Sequence, residues 1–123
     1  MIYTSYFAQL KNIPDNIVPI TICGKAPDWY TGIQYKKLAP KYNFFVKWKQ
    51  NNDNNYYIKC FIEQVLSKLN AKDVEQELYK LSNNKDVVLI CYEKPENFCH
   101  RHIISAWLNY NRINCTEWSN HTN

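Results

Sequence analysis

The chain has 123 residues, close to the commonest size of one domain: enough for a sizeable core, too few to divide comfortably into two. Hydrophobic residues make up 46% and charged residues 21%, which excludes a disordered chain, and no apolar run approaches the roughly 20 residues that span a bilayer. Lys and Arg outnumber Asp and Glu by 15 to 11, a net charge of +4 that is compatible with a phosphorylated ligand but too mild to argue for nucleic acid by itself.

In chain order, residues 2–6 predict a first strand, with Ser5, Tyr6 and Phe7 near its tip. Residues 16–23, carrying Val18, Ile20 and Ile22, predict a second that ends at Gly24, where a turn or close approach needs backbone freedom. Residues 27–32 read as an ordered loop. In it Trp29 is either a lid over a ligand or a plug on the core, and Gly32 lets the chain pass close to a neighbour. Residues 42–49 predict a short helix and 50–55 a polar break.

Tyr57, Phe61, Val65 and Leu69 recur every fourth residue beside Ile58, Ile62 and Leu66, so residues 56–69 predict a helix. Asn70 caps the next one, with Asp73 in its first turn and Val74, Leu78 and Leu81 as its apolar stripe. The run 86–92 is the pattern of a strand covered on both faces, and Pro95 bars its continuation. After a loop over 93–98, a helix begins at about Cys99. One row of it holds Cys99, Ile103 and Trp107 and the next His100, Ile104 and Leu108, with Arg101 and Ser105 to the side. Residues 114–118 predict a last strand and 119–123 a polar tail in which His121 has no specific role.

Strands separated by helices predict a single α/β domain over residues 1–123, with a small, mostly parallel sheet. Ligands of such sheets sit beyond the carboxyl ends of the strands. That rule gathers Ser5, Tyr6 and Phe7, Gly24 and Lys25, Glu93, and Cys99, His100 and Arg101, with Trp29 and Tyr35 as possible covers. A helix N-terminus favours an anion, and the planar fork of Arg101 suits phosphate or carboxylate. Cys99 is either a nucleophile whose thiolate that environment stabilises or a buried filler. Glu93 is either a general acid or base or an arginine's partner. Cysteine phosphatases wrap their anion in a loop between Cys and a downstream Arg; Cys99 and Arg101 are too close for that, which ranks Glu93 above Cys99, and Ser5 is the other candidate nucleophile.

Cys91-Tyr92-Glu93 followed by Cys99-His100-Arg101 resembles the signature of the domain-of-unknown-function 488 family of small bacterial and phage proteins. Ser5-Tyr6-Phe7, the segment from Pro27 to Gly32, and that from Tyr35 to Pro40 resemble its short subgroup, so the likeness spans most of the chain. The resemblance implies one Rossmann-like, three-layer α/β domain with Glu93, Cys99, His100 and Arg101 in signature positions. It implies no particular reaction. Longer members carry Asp-x-Arg after the second strand; here Cys23-Gly24-Lys25 stands in that region, and Lys25 supplies only the positive charge.

Five cysteines without regular spacing read as reduced thiols of a cytoplasmic protein. Zinc is set aside because His100 and His102, two apart on a helix, point about 200° from each other and no Cys-x-x-Cys pair occurs. No cofactor is expected. Lys36, Lys37, Lys41, Lys47 and Lys49 interleave with Tyr35, Tyr42, Phe44, Phe45 and Trp48, a pattern shared by single-strand nucleic-acid binders and by amphipathic helices, the latter preferred. Three functions stay open: an enzyme hydrolysing or transferring at a glycosidic or phosphoester bond of a nucleotide-like substrate, a protein sequestering a nucleotide signal unchanged, and, more weakly, a nucleic-acid binder.

Overall fold

Five strands build one sheet in a computed structural model that describes residues 1–119; of the tail expected over 119–123, all but Ser119, His121 included, lies outside the described residues. The strands are β1 (Ile2–Tyr6), β2 (Ile17–Thr21), β3 (Ile33–Gln34), β4 (Asp86–Cys91) and β5 (Cys115–Glu117). Their order is β3-β2-β4-β1-β5 and every pairing is parallel. With four helices between them this is a single α/β domain of the three-layer, Rossmann-like kind: α1 (Tyr42–Asn51), α2 (Asn54–Gln64), α3 (Ala71–Leu81) and α4 (His100–Tyr110).

β4 is the axis of the sheet because its sequence lets it be. Val87, Val88, Leu89 and Ile90 are all fully buried, so both faces of the strand are covered, which an uninterrupted apolar run permits and an alternating one would not. It pairs with β1 from Ile2 opposite Val87 to Tyr6 opposite Cys91, and with β2 from Ile17 opposite Asp86 to Thr21 opposite Ile90. The strand stops at Cys91, four residues before Pro95, so the proline is not what ends it.

Local chemistry sets the helix ends. The polar break between α1 and α2 is only residues 52 and 53: Asn52 takes a left-handed conformation and gives its N–H to the Trp48 carbonyl at 2.7 Å, and Asp53 accepts from the Tyr56 N–H at 3.1 Å. α2 is shorter than its apolar periodicity predicts. Ser67 donates its hydroxyl to the Glu63 carbonyl, competing with the helical ladder, and the chain tightens into a 3-10 turn over Leu66–Lys68. Asn70 caps α3 as expected, accepting from the Asp73 N–H at 3.1 Å. Val74 and Leu78 are buried, but Leu81 is exposed, because the stripe runs off the last turn of the helix into solvent.

The two glycines also divide. A Cβ at Gly24 would meet nothing within 4 Å, and neither glycine has positive φ, so Gly24 needs no special backbone freedom. A Cβ at Gly32 would stand 2.6 Å from the Tyr30 hydroxyl, the close approach expected there.

Candidate functional site

From β2 the chain leaves toward β3 at one edge of the sheet, and from β4 it leaves through α4 toward β5 at the other. The carboxyl ends of β2 and β4 are neighbours from which the chain diverges, so a crevice opens between them, the place where open parallel sheets bind ligands. A cavity of about 730 Å³ lies there. Its floor is Cys23, Gly24 and Lys25 after β2, together with Cys91, Glu93, Cys99 and His100 around the start of α4. Phe45, Trp48 and Lys49 of α1, Tyr57 of α2 and Phe98 form an aromatic wall.

That wall is one packed unit. Trp48 lies 5.4 Å from Phe98 and 5.5 Å from Tyr57, centroid to centroid, and the Lys49 ammonium sits 5.6 Å from the Phe45 ring. Within the mixed lysine and aromatic pattern of this region, Phe44 is buried in the core, Phe45 and Trp48 face the cavity, and Lys41, Lys47 and Lys49 are exposed. Burial pushes the Tyr57 phenol above its ordinary value, so it stays protonated.

His100 is buried against the edge of the Phe61 ring, and its Nε2 lies 2.8 Å from the Ile22 carbonyl oxygen. A carbonyl can only accept, so Nε2 carries the proton and Nδ1 keeps a free lone pair, 4.0 Å from Cys99 Sγ. Loss of hydration on burial, aided by the Arg101 charge, lowers the His100 pKa to about 4; the imidazole is neutral at physiological pH.

Arg101 corrects the sequence reading. It was expected beside the helix, reaching for an anion; it is fully buried and does not line the cavity. Nε and Nη2 donate to the two carboxylate oxygens of Glu117 at 3.1 and 3.0 Å, and Nη1 donates to the Glu93 backbone carbonyl and, at 3.4 Å, to Cys91 Sγ. Its face lies 5.6 Å from the Tyr6 ring. All three guanidinium nitrogens are engaged, so the group ties α4 to β5 and to the loop after β4. Its carboxylate partner is Glu117 and not Glu93, which is exposed on the cavity rim. Glu117, which also accepts from the Thr4 hydroxyl at 2.7 Å, was missed; the available signal was its parity with buried Cys115 in a short strand.

The cysteine expectation is corrected too. Cys91 and Cys99 form a disulfide, while Cys23, Cys60 and Cys115 are free and buried. The loop over residues 92–98 doubles back and sets the end of β4 against the N-cap of α4, a closure that residue spacing does not reveal. With its sulfur in the disulfide, Cys99 has no thiolate to act as nucleophile.

Of the ten predicted site residues, Lys25, Glu93, Cys99 and His100 line the cavity. Ser5 is buried inside β1, and its Oγ has no hydrogen-bond partner among the described residues. Tyr6 stacks on Arg101. Phe7 joins an aromatic cluster, 5.7 Å from Trp29 and 5.0 Å from Tyr92, that reaches the cavity through Tyr92; Trp29 itself is largely exposed and does not line the cavity. Tyr35 is buried and donates its hydroxyl to Glu77 of α3.

Fold and cavity together define a parallel-sheet α/β protein with a cavity at the strand switch point. The chain belongs to the DUF488 family: the family model described as the active DUF488-N3 subclade matches residues 5–112. Neither the curated proteins nor the solved structures contain a match to it. Among the described residues no helix is long and apolar enough to cross a membrane.

Proposed function

We propose that this protein, acting in the cytoplasm, binds a nucleotide or related phosphorylated small molecule in the cavity between the ends of β2 and β4. The observation that carries the reading is the composition of that cavity at that place: an aromatic wall on one side, the N-terminus of α4 on the other, and the exposed ammonium groups of Lys25 and Lys49 on its border. A base stacks on such a wall, and a phosphate is held by a helix N-terminus and mobile cations. Because Arg101 is committed to Glu117, the two lysines take over the charge-pairing role. Glu93, exposed on the rim, is the candidate general acid or base for hydrolysis or transfer at a glycosidic or phosphoester bond. Sequestration without turnover uses the same contacts.

Incubation of the full chain with a panel of nucleosides, nucleotides and sugar phosphates tests both parts. Calorimetry is expected to find at least one binder whose affinity falls about tenfold or more in Trp48→Ala, in line with ~1–3 kcal/mol for base stacking. Mass analysis of the recovered ligand then separates a changed molecule, expected of an enzyme and lost in Glu93→Gln, from an intact one. No binder in the panel, or a binder indifferent to Trp48→Ala and Lys49→Ala, overturns the assignment of the cavity.

A further inference from the structure

We propose that Cys91, Cys99 and His100, once their disulfide is reduced, form a three-ligand transition-metal site suited to zinc, its fourth position opening into the cavity. One ligand atom from each of the three lies within 4.8 Å of the others, and all three residues are buried and border the cavity. The trio does not include His102, so the divergence of the two histidines on α4 does not bear on it.

Three further features suit a metal. The Nε2–H of His100 is spent on the Ile22 carbonyl at 2.8 Å, which fixes the ring and turns the lone pair of Nδ1 toward the sulfurs, the backing that metal-bound histidines commonly have. Arg101 Nη1 lies 3.4 Å from Cys91 Sγ, a donor to a sulfur that becomes a thiolate. The Cα atoms of Cys91 and Cys99 stand 7.5 Å apart, beyond the usual disulfide span of about 4.4–6.8 Å, whereas two thiolates sharing an ion at about 2.3 Å each bridge a longer gap. Two thiolates and one imidazole are a zinc-type donor set, and three protein ligands beside a cavity leave a position for water or an anionic ligand atom.

The chemistry balances with a dithiol or phosphine reductant. Two electrons and two protons open the Cys91–Cys99 bond to two thiols; a dithiol supplies both and becomes its own disulfide, whereas a phosphine supplies the electrons and becomes its oxide with the oxygen of a water molecule, which also supplies the protons. Each thiol then gives a proton to solvent as the divalent ion binds. Oxidation expels the ion, so one trio serves as metal site or as disulfide, never both.

The test uses the full chain without any nucleotide, so its failure is distinct from failure of the ligand assignment above. Cobalt(II) titrated into phosphine-reduced protein is expected to bind one ion per chain with thiolate-to-cobalt charge-transfer absorption, and the oxidised chain is expected to give none. His100→Gln should weaken binding about 10-fold or more, while Cys60→Ser should leave it unchanged. Should His100→Gln fail to fold, alkylation mapped by mass spectrometry on the reduced natural chain decides: zinc(II) should protect Cys91 and Cys99 together. Absence of charge-transfer absorption in the reduced chain, or alkylation of Cys91 and Cys99 at the same rate with and without zinc, overturns the site.

Discussion

The first turn of α4 and the outer wall formed by α1 both present cations near the same cavity, yet their cations have opposite fates. Arg101 is fully buried, with its nitrogens divided between Glu117, Cys91 and the Glu93 carbonyl. Lys49 is exposed, leaning on the rings of Phe45 and Trp48. A buried charge must have its partners supplied by the fold, so it holds architecture together; an exposed one keeps its hydration and remains available to a ligand. Proximity to a cavity therefore does not make a cation a ligand group.

Four measurements break or sharpen that contrast. The largest effect is expected for Arg101→Ala, which leaves the Glu117 carboxylate, the Glu93 carbonyl and the Cys91 sulfur without their shared donor. A loss of about 3–5 kcal/mol in urea unfolding is expected. A variant of natural stability that has merely lost a ligand would instead restore Arg101 as a binding group.

Next comes acid. The His100 pKa is about 4 in the folded protein against an ordinary 6.5, so between those values the unfolded chain binds more protons than the folded one. Stability contributed by neutral His100 is complete above about pH 6.5 and is lost as pH falls toward 4, on the order of 3 kcal/mol in all. Unfolding free energies measured from pH 7 to 4 should show this slope in the natural chain and a shallower one in His100→Gln; parallel profiles would contradict it.

Glu117→Gln keeps an oxygen for the fork but removes the charge, and a cost of about 1.5–3 kcal/mol is expected by denaturant titration. An unchanged midpoint would mean that water replaces the carboxylate. The smallest effect falls on the outer wall: Lys49→Ala should shift stability by no more than about 0.5 kcal/mol while weakening any anionic ligand of the cavity. A large stability loss there would erase the distinction between the two regions.

The reach of the sequence follows the same line. β1 was legible over its observed span, and β4 to within one residue; β4 was so because six residues rich in Val and Ile are too short for a helix and suit a strand covered on both faces. The Asn70 cap was legible because its hydrogen bond reaches only three residues ahead. β3 was not, since Ile33 and Gln34 are too few to carry a period. The end of α2 was missed because the apolar repeat continues through the 3-10 turn over Leu66–Lys68, where Val65 and Leu66 stay buried as they would in a longer helix.

Within the candidate site, Lys25, Glu93, Cys99 and His100 could be placed from the rule that parallel sheets gather function at their carboxyl ends, a rule needing only strand order of appearance. Ser5 and Tyr35 could not be excluded by it, because the rule locates a residue along a strand and is silent on which side its chain turns.

What the sequence determined by itself is therefore local: where apolar runs make strands, where caps begin helices, and that a conspicuous Cys-His-Arg triplet opens a helix after the central strand. Only the tertiary structure decided what that triplet does. Glu117 meets Arg101 because β5 lies beside β1, Ile22 meets His100 because β2 lies beside β4, and Cys91 meets Cys99 because the intervening loop doubles back. Each of these contacts joins groups on different elements, and no periodicity encodes them. Burial then settles the roles: deprived of water, a charge or an imidazole must take its partners from whichever elements the fold brings alongside.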